Sequence, residues 1–134
     1  MSWDILLLNS TIPVDFETDI WADFEPRTAL ITRFQQTFPD SQWVALSWGT
    51  LHSDQAAIEF NLGIAEEPGN TVMLHVYGGQ DPVSEIARLC HQHGWIAYDM
   101  AAEQFIGNGQ AAYERFNAWE KYRADVLSQK DLDR

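Results

Sequence analysis

At 134 residues, with 46% hydrophobic and 13% aromatic residues and six Trp, the chain has the composition of one globular domain, not of a disordered or low-complexity segment. Twenty acidic residues against eight Lys and Arg leave a net charge of −12, a field that repels nucleic acid and anionic membrane surfaces and attracts basic partners. The acidity is lopsided: residues 1–87 hold 13 acids and only Arg27 and Arg33, whereas residues 88–134 hold seven acids and six bases.

"MSWDILLLNS" has an Asp and no Lys or Arg before an apolar run too short for a signal peptide or a membrane span. Within it, residues 3–9 read as a strand with apolar side chains on both faces, hence a central one. The acidic, irregular stretch from Ser10 to Glu25 leads to a helix in "EPRTALITRFQQTFPD". Pro26 suits its first turn, Leu30, Ile31, Phe34 and Phe38 form the apolar stripe, and Pro39 marks the stop.

Three strands of period two follow as an antiparallel meander: "WVALSWG", "AIEFNLG" and "TVMLHVYG". Val44, Leu46, Trp48, Ile58, Phe60, Leu62, Val72, Leu74 and Val76 are expected on the core face, and Trp43, Ser47, Glu59, Asn61, Met73, His75 and Tyr77 on the other. That outer face is either open or a second, wetter core beneath the final helix. A second helix begins with Asp81 as N-cap and Pro82 at its first position, turns Ile86, Leu89 and Cys90 inward, and stops at Gly94. "WIAYDM" reads as a fifth strand, parallel to 72–77 with one strand between or beside them. A long amphipathic helix from Gly109 to about Ser128, with Ala112, Tyr113, Phe116, Trp119, Val126 and Leu127 facing in, closes the pattern, and residues 129–134 are expected to fray.

The order β-α-β-β-β-α-β-α implies an α+β fold: a single mixed, mostly antiparallel sheet of about five strands with helices packed on it, in the manner of a ferredoxin-like split βαβ, and one domain over 1–134. Cys90, the only cysteine, cannot form an intrachain disulfide and suits a reducing compartment, so a soluble cytoplasmic protein without a membrane partner is expected.

Motifs for chemistry are weak. Gly78-Gly79 sits between a strand and a helix, where a phosphate would bind, but Asp81 occupies that helix start with its own carboxylate. No Lys or Arg lies between residues 34 and 87 to assist. In "CHQH", Cys90 and His93 share a helical face, yet with no second Cys and with His52 and His75 isolated, a zinc site lacks ligands. Cys90 then packs as a small apolar residue, and His91 and His93 sit in a last turn whose dipole favours protonation. "SWGTLHSD" lacks a nucleophile elbow, and among twenty carboxylates the pair Asp99 and Glu103 is a chance-level signal. No catalytic residue, cofactor or metal is assigned.

"VDFETDIWADFE" is the stretch that asks for a role. Asp15, Glu17, Asp19, Asp23 and Glu25 are interleaved with Phe16, Ile20, Trp21 and Phe24. Aromatic anchors inside an acidic rim would capture a basic protein; alternatively, the apolar side chains simply staple the segment to the core.

"SWDI", "VYGGQDPVSEIARLC" and "GWIAYD" together resemble a group of small uncharacterised bacterial proteins, some of which resemble immunity proteins of contact-dependent or secreted toxin systems. The likeness spans roughly residues 2–99 and rests on strand ends, caps and turns, so it bears on fold more than on activity. It implies a cytosolic inhibitor whose acidic surface blocks a basic toxin domain.

Two functions of different class follow. The first is a non-enzymatic acidic binding protein of the immunity type that neutralises a basic toxin or effector domain, using Asp15, Glu17, Asp19, Trp21, Asp23 and Glu25, extended by Glu66 and Glu67. The second is a small enzyme or ligand-binding domain with a pocket between sheet and helices around Trp48, His75, Tyr77 and Asp99.

Overall fold

The computed structural model describes residues 2–106 and 110–132 and, within the last helix, the side chains of 114–122 and 124–126. Seven strands, β1 (Trp3–Leu8), β2 (Gln42–Ala45), β3 (Trp48–His52), β4 (Ala57–Asn61), β5 (Thr71–Gly78), β6 (Ile96–Asp99) and β7 (Gln104–Ile106), form one sheet in the order β2-β3-β4-β5-β1-β6-β7. Every neighbouring pair is antiparallel. Three helices, α1 (Arg27–Thr37), α2 (Pro82–His93) and α3 (Gln110–Leu132), complete the α+β architecture. Because β5 and β6 are both antiparallel to β1, they run parallel to each other with β1 between them, so β5-α2-β6 is the split βαβ unit expected.

The expected strand count of about five is too low for two reasons. "WVALSWG" is a hairpin: β2 ends at Ala45, Leu46-Ser47 make the turn, and β3 begins at Trp48. The bulge between Trp43 and Ala45 shifts the alternation, so the core-facing pattern inverts. Trp43 packs on Phe34 and Phe60 at 5.7 and 5.8 Å, while Val44 and Leu46 are 83% and 49% exposed. Gly49, opposite Trp43, is required there, since a Cβ would lie 2.6 Å from the indole. The second addition is the short strand β7, which returns from β6 through a turn ending at Glu103, whose φ is +55°.

One core joins the sheet to all three helices. Ile5 and Leu7 of β1, Phe60 of β4, Leu74 of β5, Leu30 and Phe34 of α1 and Leu89 of α2 are 0% exposed, and Phe116 of α3 packs at a tilt on Trp3 with ring centroids 5.4 Å apart. Phe34 is the hub, in ring contact with Trp43, Phe60 and Trp95. Trp119 packs against this core and Val126 is half-buried, whereas the expected inward positions Ala112, Tyr113 and Leu127 lie outside the described side chains. Residues 129–132 continue α3, and 133–134 lie outside the described residues.

The caps of α2 follow the sequence. The Asp81 carboxylate accepts from the Ser84 amide at 3.0 Å, and Gly94 takes the left-handed stop at φ +73°. The glycine pair serves close packing: at Gly79, with φ +117°, a Cβ would stand 2.3 Å from the Gln55 carbonyl oxygen. The Gln80 and Asp81 amides donate to the carbonyls of Asp54 and Gln55.

Candidate functional site

Charge separates by layer. Seven of the eight Lys and Arg, Arg27, Arg33, Arg88, Arg115, Lys121, Arg123 and Lys130, lie in the helices, alongside five acids. The strands and connections among the described residues carry fourteen acids and no Lys or Arg. The helices pack on one face of the sheet, so the acidic field is concentrated in the loops and on the other face.

Two loops share that field. Ala22 bridges Asn9, the Phe24 amide donates to the Gly69 carbonyl at 2.7 Å, and the Arg27 amide donates to the Glu66 carbonyl at 3.2 Å. The Trp21 indole N–H donates to the Asn70 carbonyl at 2.8 Å. These bonds stitch the 14–25 segment to the 62–70 loop and bring Glu66 and Glu67 to the same side as Asp23. Asp15, Glu17, Asp19, Asp23, Glu66 and Glu67 are exposed, and no ion pair engages them among the described residues. Glu25 differs: it is half-buried and paired with Arg33. Asp15 and Asp19 also hold their own turn, the Asp19 carboxylate accepting from the Asp15 amide at 2.8 Å and the Asp15 carboxylate from the Glu17 amide at 2.9 Å.

The apolar residues of the segment divide between the two roles weighed for them. Phe24 is buried against Trp95, and Trp21 is half-buried, edge-on to Phe16. Phe16 in turn lies on Tyr98 and Phe105, at 4.8 and 6.0 Å, and staples the loop to the sheet face opposite the helices. Ile20 is 99% exposed and Ile64 of the neighbouring loop 94%, so both isoleucine side chains lie open to solvent.

The pocket expected around Trp48, His75, Tyr77 and Asp99 is split by the sheet. Trp48, His75 and Tyr77 share the face away from the helices, with the Trp48 and His75 rings 6.1 Å apart. Asp99, opposite Ile5 in the register, is 1% exposed on the helix side. Its carboxylate accepts from the Ala101 and Ala102 amides at 3.0 and 3.1 Å and from Arg115 Nε at 3.2 Å, so it closes the β6–β7 turn and anchors α3.

On the outer face the structure adds a residue that strand reasoning left aside. Asp4 pairs with His75, Oδ1 to Nδ1 at 2.8 Å, and the Ser2 hydroxyl donates to the same oxygen. Beside it the Tyr77 hydroxyl donates to Glu59 at 3.1 Å. The Tyr77 phenol is pushed up from its ordinary pKa, first by burial and then by the bond to Glu59 and the negative charges of Glu59 and Asp4. An acid at the second position of the otherwise apolar strand "WDILLL" was the available signal for Asp4.

A further crevice of about 290 Å³, lined by Asn9, Asp23, Glu25, Arg33, His93 and Trp95, lies between the acidic segment and the helices. His93 there meets Thr37 Oγ1 at 2.9 Å and packs at a tilt on Trp95, with ring centroids 4.8 Å apart. Its pKa is lowered by burial and by the Arg33 charge, against the dipole effect expected of a last-turn histidine. Cys90 packs against the core, and burial pushes its thiol up to about 12. Among the described residues no three His, Cys, Asp or Glu side chains are grouped to hold a metal ion, and no helix is long and apolar enough to cross a membrane. No family model, curated protein or solved structure matches the chain.

Proposed function

We propose that the protein is a non-enzymatic binding module of the immunity type, which neutralises a basic toxin or effector domain in the cytoplasm by covering it with an acidic surface. The observation that carries the reading is the stitching of two loops into one surface. Asp15, Glu17, Asp19, Asp23, Glu66 and Glu67 stand there without ion pairs among the described residues, and Ile20 and Ile64 stand exposed among them. Exposed carboxylates steer a cationic partner, and apolar anchors within an acidic rim give it something to bury. The charge distribution adds to this: Arg33 is taken up by Glu25 and Arg27 donates to the Gly63 carbonyl, so among the described residues no ion pair neutralises the six exposed carboxylates.

Capture from native lysate tests the proposal. The chain is immobilised at low salt, eluted with a salt gradient, and compared with the quadruple variant Glu17→Gln, Asp23→Asn, Glu66→Gln, Glu67→Gln, which leaves the Asp15–Asp19 turn intact. The expected result is one basic protein, released steeply by salt, lost on the variant and inhibited by the wild-type chain in a direct activity assay. Equal retention by the variant would contradict the reading. Capture of no protein, together with a small molecule that raises the melting temperature, would turn attention to the crevice at Arg33 and His93.

A further inference from the structure

The sheet face opposite the helices deepens the reading just given, on which this inference rests. By register Glu59, His75 and Asp4 stand side by side across β4, β5 and β1, and one rung along stand Asn61, Met73 and Leu6, with Trp48 beyond Asn61 on β3. Neighbouring strands are about 4.8 Å apart and same-face residues along a strand about 7 Å apart. A row holding two carboxylates therefore runs beside a mainly apolar row, at a spacing that one long cationic side chain bridges with its stem on the apolar row and its head on the acids.

Among the described residues no Lys or Arg meets this row. Asp4 is engaged by His75 and Ser2, and Glu59 by Tyr77, while every Lys and Arg of the described residues belongs to the helices on the far side of the sheet. The face also adjoins the acidic segment, because Phe16, between Asp15 and Glu17, rests on Tyr98 and Phe105 at the end of the apolar row. We propose that this face receives an arginine side chain of the basic partner, its stem over Trp48 and Met73 and its guanidinium between Glu59 and Asp4. Arginine fits better than lysine because a planar guanidinium offers two parallel donors to one carboxylate, whereas an ammonium does not.

The probe is the blocked peptide acetyl-Arg-Arg-Arg-amide at low salt, with acetyl-Lys-Lys-Lys-amide beside it, read by amide chemical shifts and the dissociation constant. The arginine peptide is expected to shift amides of β3, β4 and β5 and to bind more tightly than the lysine peptide. Glu59→Gln is expected to weaken it about tenfold, as loss of a charge-assisted pair does. The loop variant Glu17→Gln with Glu67→Gln is expected to change it less than about twofold, as for screened exposed charges. Met73→Lys, which puts a cation on the face, provides a second test in case Glu59→Gln perturbs the strand, and is expected to abolish the shifts in a protein with unchanged circular dichroism. Equal binding of the two peptides would overturn the assignment to arginine. Loss confined to the loop variant would overturn the sheet site while leaving the acidic-loop function standing. Indifference to all three variants would overturn the sheet site and remove the charge complementarity on which both readings depend.

Discussion

On β1, Ile5 and Leu7 point into the helix layer and are wholly buried, while Asp4 and Leu6, one residue away, point to the side where no described helix packs and remain half-exposed. The same alternation runs through β4 and β5, where Ile58, Phe60, Leu74 and Val76 are sealed while Glu59, Asn61, Met73, His75 and Tyr77 are not. One face of each strand is therefore committed to stability, and the other carries polar and aromatic groups whose arrangement the core does not require. Substitutions on the outer face should therefore disturb folding less than those on the helix face.

Substitutions and chemical probes on the two faces can break or sharpen that contrast. The largest expected effect is on Cys90 in the helix layer. With the thiol held at about 12, its alkylation at pH 8 should be slower than in urea-unfolded chain by on the order of 10³, measured with iodoacetamide. Equal rates would mean that the helix layer opens freely. Phe34→Ala, which removes the ring shared by Trp43, Phe60 and Trp95, should cost about 3–5 kcal/mol in chemical denaturation, whereas Met73→Ala on the open face should cost below about 1.5 kcal/mol. Similar losses at the two positions would show that the outer face is also a packed core.

Asp99→Ala deprives two backbone amides and Arg115 of their acceptor and should cost about 2 kcal/mol, with melting temperature as the readout. The smallest effect concerns His93. Its folded-state pKa lies below the ordinary 6.5, so between those two values the unfolded chain binds more protons and stability rises with pH; the contribution is present above about 6.5 and lost as pH falls toward the folded value. His93→Gln should therefore flatten the stability profile below pH 7 relative to wild type. An unchanged profile would mean that His93 is not the group responsible.

How far the sequence alone led is clearest from single residues. Asp81, Gly94 and the period-two strands at 57–62 and 71–78 carry local signals that tertiary packing did not need to override, and each stands as expected. The hairpin in "WVALSWG" was hidden because Leu46-Ser47 lacks the Asn-Gly or Asp-Gly chemistry that marks a tight turn, and a bulge broke the alternation that the pattern relied on. β7 is three residues long, too short for a period to register. At the site, the acids of 14–25 were legible as composition. Their junction with Glu66 and Glu67 depends on backbone bonds across more than 35 residues, and the Asp4–His75 pair is a side-chain bond across 71, which spacing alone does not reveal. Trp21 shows the other limit: its indole is tied to Asn70, so the apolar side chain left open to solvent is its neighbour Ile20.

Recognition of a basic partner through the acidic surface is tested by the association rate with the captured protein, measured from low to high ionic strength. The account predicts a steep fall, of about tenfold or more between roughly 20 and 300 mM salt, with a shallower slope for the loop-neutralised variant. A rate that stays the same across that range would contradict recognition through the acidic surface.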